Sequence, residues 1–175
     1  MNNRIGEGLL PGRYTATLPD QFVVFLIGAR INAWWAIHKW LPIITAMPRM
    51  LKELCRNPEL GLLHYRSHFG LRNVMVIQYW RSSEDLMAYA RNRDAEHLPA
   101  WAAFNQRAYH SRAVGIWHET YVINRGQCES IYGNMPPYGL GKAFSLTPAA
   151  GQQRSARGRL GQTPDDDNDQ IGQTP

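Results

Sequence analysis

The run Trp117-His118-Glu119-Thr120-Tyr121 gathers an imidazole, a carboxylate and a phenol within five residues. Imidazole exchanges protons near neutral pH, and carboxylates and phenols are the other usual proton carriers. The run sits in a stretch from Arg112 to Ile123 that reads as a strand. Strand alternation then divides it: Ile116, His118 and Thr120 share one face, and Trp117, Glu119 and Tyr121 the other. An ionisable side chain on each face of a buried strand is costly unless paired. Either His118 and Glu119 are satisfied by hydrogen bonds at a subunit seam, or they transfer protons in a pocket. His97 and Trp101 lie four residues apart, and Asn105 extends the row along one helical face. That row would line a pocket between helix and sheet, or mark a helix start with His97 near its cap. Gln78 and Trp80 share a face of another strand, where Gln78 is the polar exception in an apolar run. It bonds a core neighbour or orients a ligand. The candidate set is therefore His118, His97 and Glu119 for catalysis, with Gln78, Trp80, Trp101, Asn105 and Tyr121 against substrate. No metal site is expected: His64 and His68 share a strand face but stand about 13 Å apart by strand rise, which suits a solvated edge.

The elements that must position these residues follow from pattern. Phe22 to Ile27 is a short run of β-branched and aromatic residues, suited to a buried strand. Asn32 can cap a helix starting near Ala33, with Pro42 ending or kinking it and Pro48 opening a second piece to Arg56. Gly61 to Phe69 alternates apolar and polar, as an edge strand does. Val74 to Trp80 is a third strand, Ser82 or Ser83 caps the next helix ahead of Glu84-Asp85, and a second helical piece spans His97 to His110. With Arg112 to Ile123 the order is β-α-β-β-α-β, the ferredoxin-like α+β arrangement. Three of its strands are apolar on both faces, and the helices cover one face only. A second copy stacked sheet on sheet would cover the other, predicting a homodimer. Residues 1–19 read as an arm carrying a short extended segment at 14–18, residues 20–146 as the domain with a C-terminal extension unlikely to be helical, and residues 147–175 as a disordered tail.

Composition narrows the function classes. The 175 residues are 44% hydrophobic, with six Trp, eight Tyr and five Phe. So many rings suit a core, a pocket for a flat apolar ligand, or a buried interface. The net charge of +5 is scattered and no nucleic-acid motif is present, so nucleic acid is not an expected partner. Residues 22–47 are apolar overall, but Arg30, His38, Lys39, Pro42 and Pro48 interrupt them, which argues against membrane insertion. Cys55 and Cys128 lack metal-ligand spacing and read as reduced thiols of a cytoplasmic protein. There is no GxGxxG, phosphate loop, HExxH or GxSxG motif.

Five segments are familiar together: Asn57-Pro-Glu-Leu-Gly-Leu-Leu63; Gln78-Tyr-Trp-Arg-Ser82 with Asp85-Leu86; His97-Leu-Pro-Ala-Trp101 with Phe104-Asn105; Gly115-Ile-Trp-His-Glu-Thr-Tyr121; and Tyr132-Gly-Asn-Met-Pro-Pro-Tyr-Gly-Leu-Gly141. Over about residues 10–145 the chain resembles the monooxygenase-like family named after the fumagillin-cluster polyketide monooxygenase. That family is similar to antibiotic-biosynthesis monooxygenases, so the resemblance implies a dimeric α+β barrel and a monooxygenase acting on a small aromatic or polyketide-like substrate. The missing dinucleotide fingerprint fits oxygenation without such a cofactor, where the deprotonated substrate supplies the electrons. Two alternatives stand beside it. Haem-binding relatives such as the aldoxime dehydratases occur on similar barrels, and six histidines offer axial ligands for a haem-dependent dehydratase or oxygenase. The other is a non-catalytic dimeric binder of small apolar molecules.

Overall fold

The computed structural model describes residues 8–92 and 112–162. The described elements are β1 (Leu10–Thr17), β2 (Gln21–Ile31), α1 (Ile37–Arg56), β3 (Leu62–Phe69), β4 (Asn73–Trp80), α2 (Ser83–Arg91), β5 (Val114–Asn124), β6 (Tyr132–Met135) and β7 (Ser145–Pro148). They fall into two units, residues 22–122 and the paired chain ends 1–21 and 123–175.

In the first unit the sheet order is β3-β4-β2-β5, which puts β3 on an edge as its polar alternation requires. This strand order, with a helix after β2 and another after β4, is the ferredoxin-like α+β fold. β2 and β4 pair antiparallel from Val23↔Trp80 to Arg30↔Asn73. That register aligns Val23, Phe25, Ile27 and Ala29 with Trp80, Gln78, Val76 and Val74 on one face. One core cluster joins Val23, Leu54, Trp80, Leu86 and Tyr89; another packs Ala29, Trp40, Ile43 and Ile116 around Val114. The helical piece expected over His97 to His110 lies outside the described residues.

The helices depart from expectation in two ways. Asn32 does not cap α1: its amide donates to the Arg112 carbonyl at 3.1 Å, and the helix starts five residues later at Ile37, behind an uncapped Ala36. Nor do the prolines break it, for α1 runs unbroken through Pro42 and Pro48 to Arg56. Each proline leaves one carbonyl without its helical partner, those of His38 and Ile44, and an interior proline costs about 3 kcal/mol. Burial of Ala46, Met50, Leu51 and Leu54 on one side holds the helix together against that cost. α2 follows expectation: Ser82 Oγ accepts from the Asp85 amide at 3.1 Å, with Glu84 and Asp85 in the first turn.

The two motif segments around Gly61 and Arg81 dock on each other. Arg81 forks onto Asp85 at 2.7 and 3.0 Å and reaches the Glu59 carbonyl at 3.1 Å. Gly61 has φ +92, and a Cβ there would stand 2.5 Å from Asp85 Oδ2. The Arg81 fork holds the Asp85 carboxyl below its ordinary pKa.

In the second unit β1 lies between β6 and β7, with Tyr14 opposite both Tyr132 and Pro148. The arm is therefore strand over most of its second half. The disordered reading from Thr147 is corrected as far as Gln162: Thr147 lies inside β7, a 3-10 turn spans Gly151–Arg154, and one helical turn spans Ala156–Arg159. A half-buried ion pair from Arg159 to Glu129 at 2.6 Å anchors this stretch. A further helical turn at Leu140–Ala143 falls where no helix was expected, with Tyr132 Oη accepting from the Gly141 amide at 2.9 Å. The β1 pairings with β6 and β7 join residues more than a hundred positions apart, which local patterning does not report.

Candidate active site

A cavity of about 290 Å³ lies between the sheet and the two helices of the first unit. It separates the two core clusters, taking walls from Phe25 and Leu86 on one side and Ala29, Ile43 and Ile116 on the other. The space is left open because small side chains stand where larger ones would fill it: Ala29, Ala46 and Ala90. Met47, Met50 and Met87 supply adaptable walls. His118 and Thr120 are the polar exceptions among the described lining residues.

His118 projects from β5 into this space, its ring 5.6 Å from Phe25 at a 41° tilt. Among the described residues its ring nitrogens make no hydrogen bond, which leaves them open to a ligand. Thr120, two residues along the same face, adds a hydroxyl. An apolar chamber with a histidine and a hydroxyl at one edge can hold a flat, largely apolar molecule and take a proton from it.

The other predicted residues fall in three places. Glu119 and Tyr121 lie on the opposite sheet face, as alternation requires, joined to each other by a 2.5 Å bond from the phenol. That bond and the carboxylate's charge raise the Tyr121 pKa. Gln78 and Trp80 face the helices but sit below the cavity, in the core. The Trp80 indole N–H donates to Gln78 Oε1 at 2.9 Å, and the Gln78 amide approaches Met47 Sδ at 4.0 Å. Gln78 is thus buried and bonded to Trp80, outside the described cavity lining. His97, Trp101 and Asn105 lie outside the described residues. Of the described lining residues only His118 was among the candidates; Thr120, Met47 and Phe25 are among those sequence reasoning missed. Thr120 was within reach, since it shares a face with His118; the methionine and phenylalanine carried no signal beyond core.

Residues 22–140 match the family described as Monooxygenase af470-like. The chain belongs to this family. Within the family's matched span lie the whole cavity and the Gly61–Arg81–Asp85 junction. The chain is 34% identical over 94 residues to Monooxygenase af470 of Aspergillus fumigatus, covering 51% of the chain and 33% of that protein. It therefore spans about a third of the length of this curated relative. Among solved structures it superposes on an aldoxime dehydratase, crystallised with butyraldoxime, with a TM-score of 0.62 at 18% identity, over 75% of the chain and 40% of the dehydratase. A weaker likeness, TM-score 0.43 at 12% identity over 61% of the chain and 95% of its counterpart, is to SnoaB, a cofactor-independent oxygenase from Streptomyces nogalater. Among the described residues no helix is long and apolar enough to cross a membrane, and no three metal-binding side chains cluster.

Proposed function

We propose that this chain is a monooxygenase for a small aromatic or polyketide-like substrate, working without a dinucleotide cofactor, with His118 as its base. The observation that carries the reading is the apolar cavity with one imidazole on its wall that no described residue bonds. In this chemistry His118 removes a proton from an activated position on an electron-rich ring system. The carbanion reduces dioxygen and captures it, and loss of water leaves a carbonyl. Net, CH2 and O2 give C=O and H2O, with every electron drawn from the substrate. Phe25 lies against the imidazole, and the cavity's walls are apolar apart from His118 and Thr120, which stand at its exposed edge. Membership of the monooxygenase family supports the reaction class.

Haem was the alternative cofactor. The cavity offers one imidazole, but no lysine or arginine lines it, among the described residues, to meet two propionates. The described residues do not fit haem, and no step is assigned to it. The sheet face bearing Leu26, Met75, Ile77, Trp117 and Tyr121 is only partly covered, which supports a homodimer formed across it.

The test is oxygen uptake with electron-rich polycyclic phenols. The wild-type protein turns over, whereas Ala46→Phe, which fills the cavity, raises KM or abolishes uptake. Equal turnover by Ala46→Phe would place the chemistry elsewhere. A strong Soret band on adding haem, lost in His118→Ala, would replace this reading with the haem one.

A further inference from the structure

Large apolar side chains protrude at one end of the first unit's sheet. Trp35 is 84% exposed, and Ile37 and Leu41, one helical turn apart, are also exposed at the start of α1. On the β3–β4 hairpin Phe69 is 76% and Leu71 90% exposed. These groups occupy the same end of the fold. The Ile31 amide donates to the Arg72 carbonyl at 2.8 Å, tying the hairpin tip to the end of β2. The Asn32 amide donates to the Ala113 carbonyl at 2.9 Å, tying the lead into α1 to the lead into β5.

Among the described residues the charge around them has one sign. Arg30, Arg72 and Arg112 are exposed here, with His38 and Lys39 on α1. The described stretches at this end, residues 29–41, 68–74 and 112–115, contain no Asp or Glu. Among the described residues none of Arg30, Lys39, Arg72 and Arg112 forms an ion pair. Protruding tryptophan and aliphatic tips set among cations are what an anionic bilayer surface takes up. The rings enter the headgroup region and the cations meet the phosphates. A protein core would bury such tips; a nucleic acid would want the cations without the aliphatic side chains.

We propose that this end of the molecule, Trp35, Ile37 and Leu41 with Phe69 and Leu71, is a peripheral docking face for anionic lipid bilayers. The protein lies on the surface and does not span it. Docking is independent of the cavity's chemistry, so a His118→Gln enzyme docks like the wild type.

The test is sedimentation of the full chain with extruded vesicles, phosphatidylcholine alone against an equal mixture with phosphatidylglycerol. Partitioning is expected to be at least tenfold stronger into the anionic vesicles and to collapse in high salt. Arg72→Gln weakens it about fivefold, corresponding to about 1 kcal/mol per cation near an anionic surface. Trp35→Ser with Leu71→Ser weakens it at least tenfold without changing the unfolding midpoint. No partitioning, or partitioning indifferent to these substitutions, overturns the proposal. So does a change in the assembly's mass in the Trp35→Ser, Leu71→Ser protein, which would make the patch a contact between copies.

Discussion

A base in an apolar chamber works only if the chamber holds it without neutralising it. His118, the proposed base, packs against Phe25, and no described side chain bonds its nitrogens. Strand parity made this residue legible in the sequence, and the same parity sent Glu119 and Tyr121 to the far face. Gln78 was legible only as an anomaly. A polar side chain in an apolar strand marks a core bond or a ligand contact, and in the structure Gln78 accepts from the Trp80 indole at 2.9 Å. That bond predicts that Gln78→Leu leaves a buried N–H unsatisfied and destabilises the fold by about 1–3 kcal/mol. Adding Trp80→Phe recovers part of the loss, measured by urea unfolding.

At the scale of elements, the junction of the Pro58–Leu60 turn, Gly61 and α2 carries the heaviest constraint. Gly61→Ala would place a Cβ against the Asp85 carboxylate in a backbone conformation that disfavours side chains. A destabilisation of at least about 2 kcal/mol is expected by thermal or urea unfolding. The same fork gives a pH dependence. The folded Asp85 pKa is depressed, so its contribution is present above the unfolded value near 4 and is lost as pH falls through the folded value. With the Arg81 side chain 57% exposed the contribution is small, below about 1 kcal/mol. Unfolding midpoints of Asp85→Asn and wild type should separate at neutrality and converge as pH falls through the depressed folded value. The motifs carrying the family resemblance thus serve two ends: the Gly61 and Arg81 segments lock the fold, and the His118 segment reaches the cavity. Residue types alone do not distinguish these. Nor did local rules find that α1 passes two prolines, since the buried face that holds it is tertiary.

For the whole molecule, the alternation of β3 located an edge strand and the two-sided apolar strands located an uncovered face, so the ferredoxin-like order could be read from pattern. The three-stranded sheet built from the chain ends could not, because its pairings are set by long-range register. The uncovered face predicts an assembly of twice the 20.0 kDa chain in solution scattering. Trp117→Arg, which puts charge on that face, should shift it toward monomer; a wild-type monomer would remove the argument for a dimer. The central claim is that His118 acts as a base in the cavity, and the rate of oxygen uptake by His118→Gln with electron-rich phenols tests it most directly. Turnover at least about a hundredfold below wild type, with substrate still bound, is the predicted result; turnover equal to wild type would contradict it.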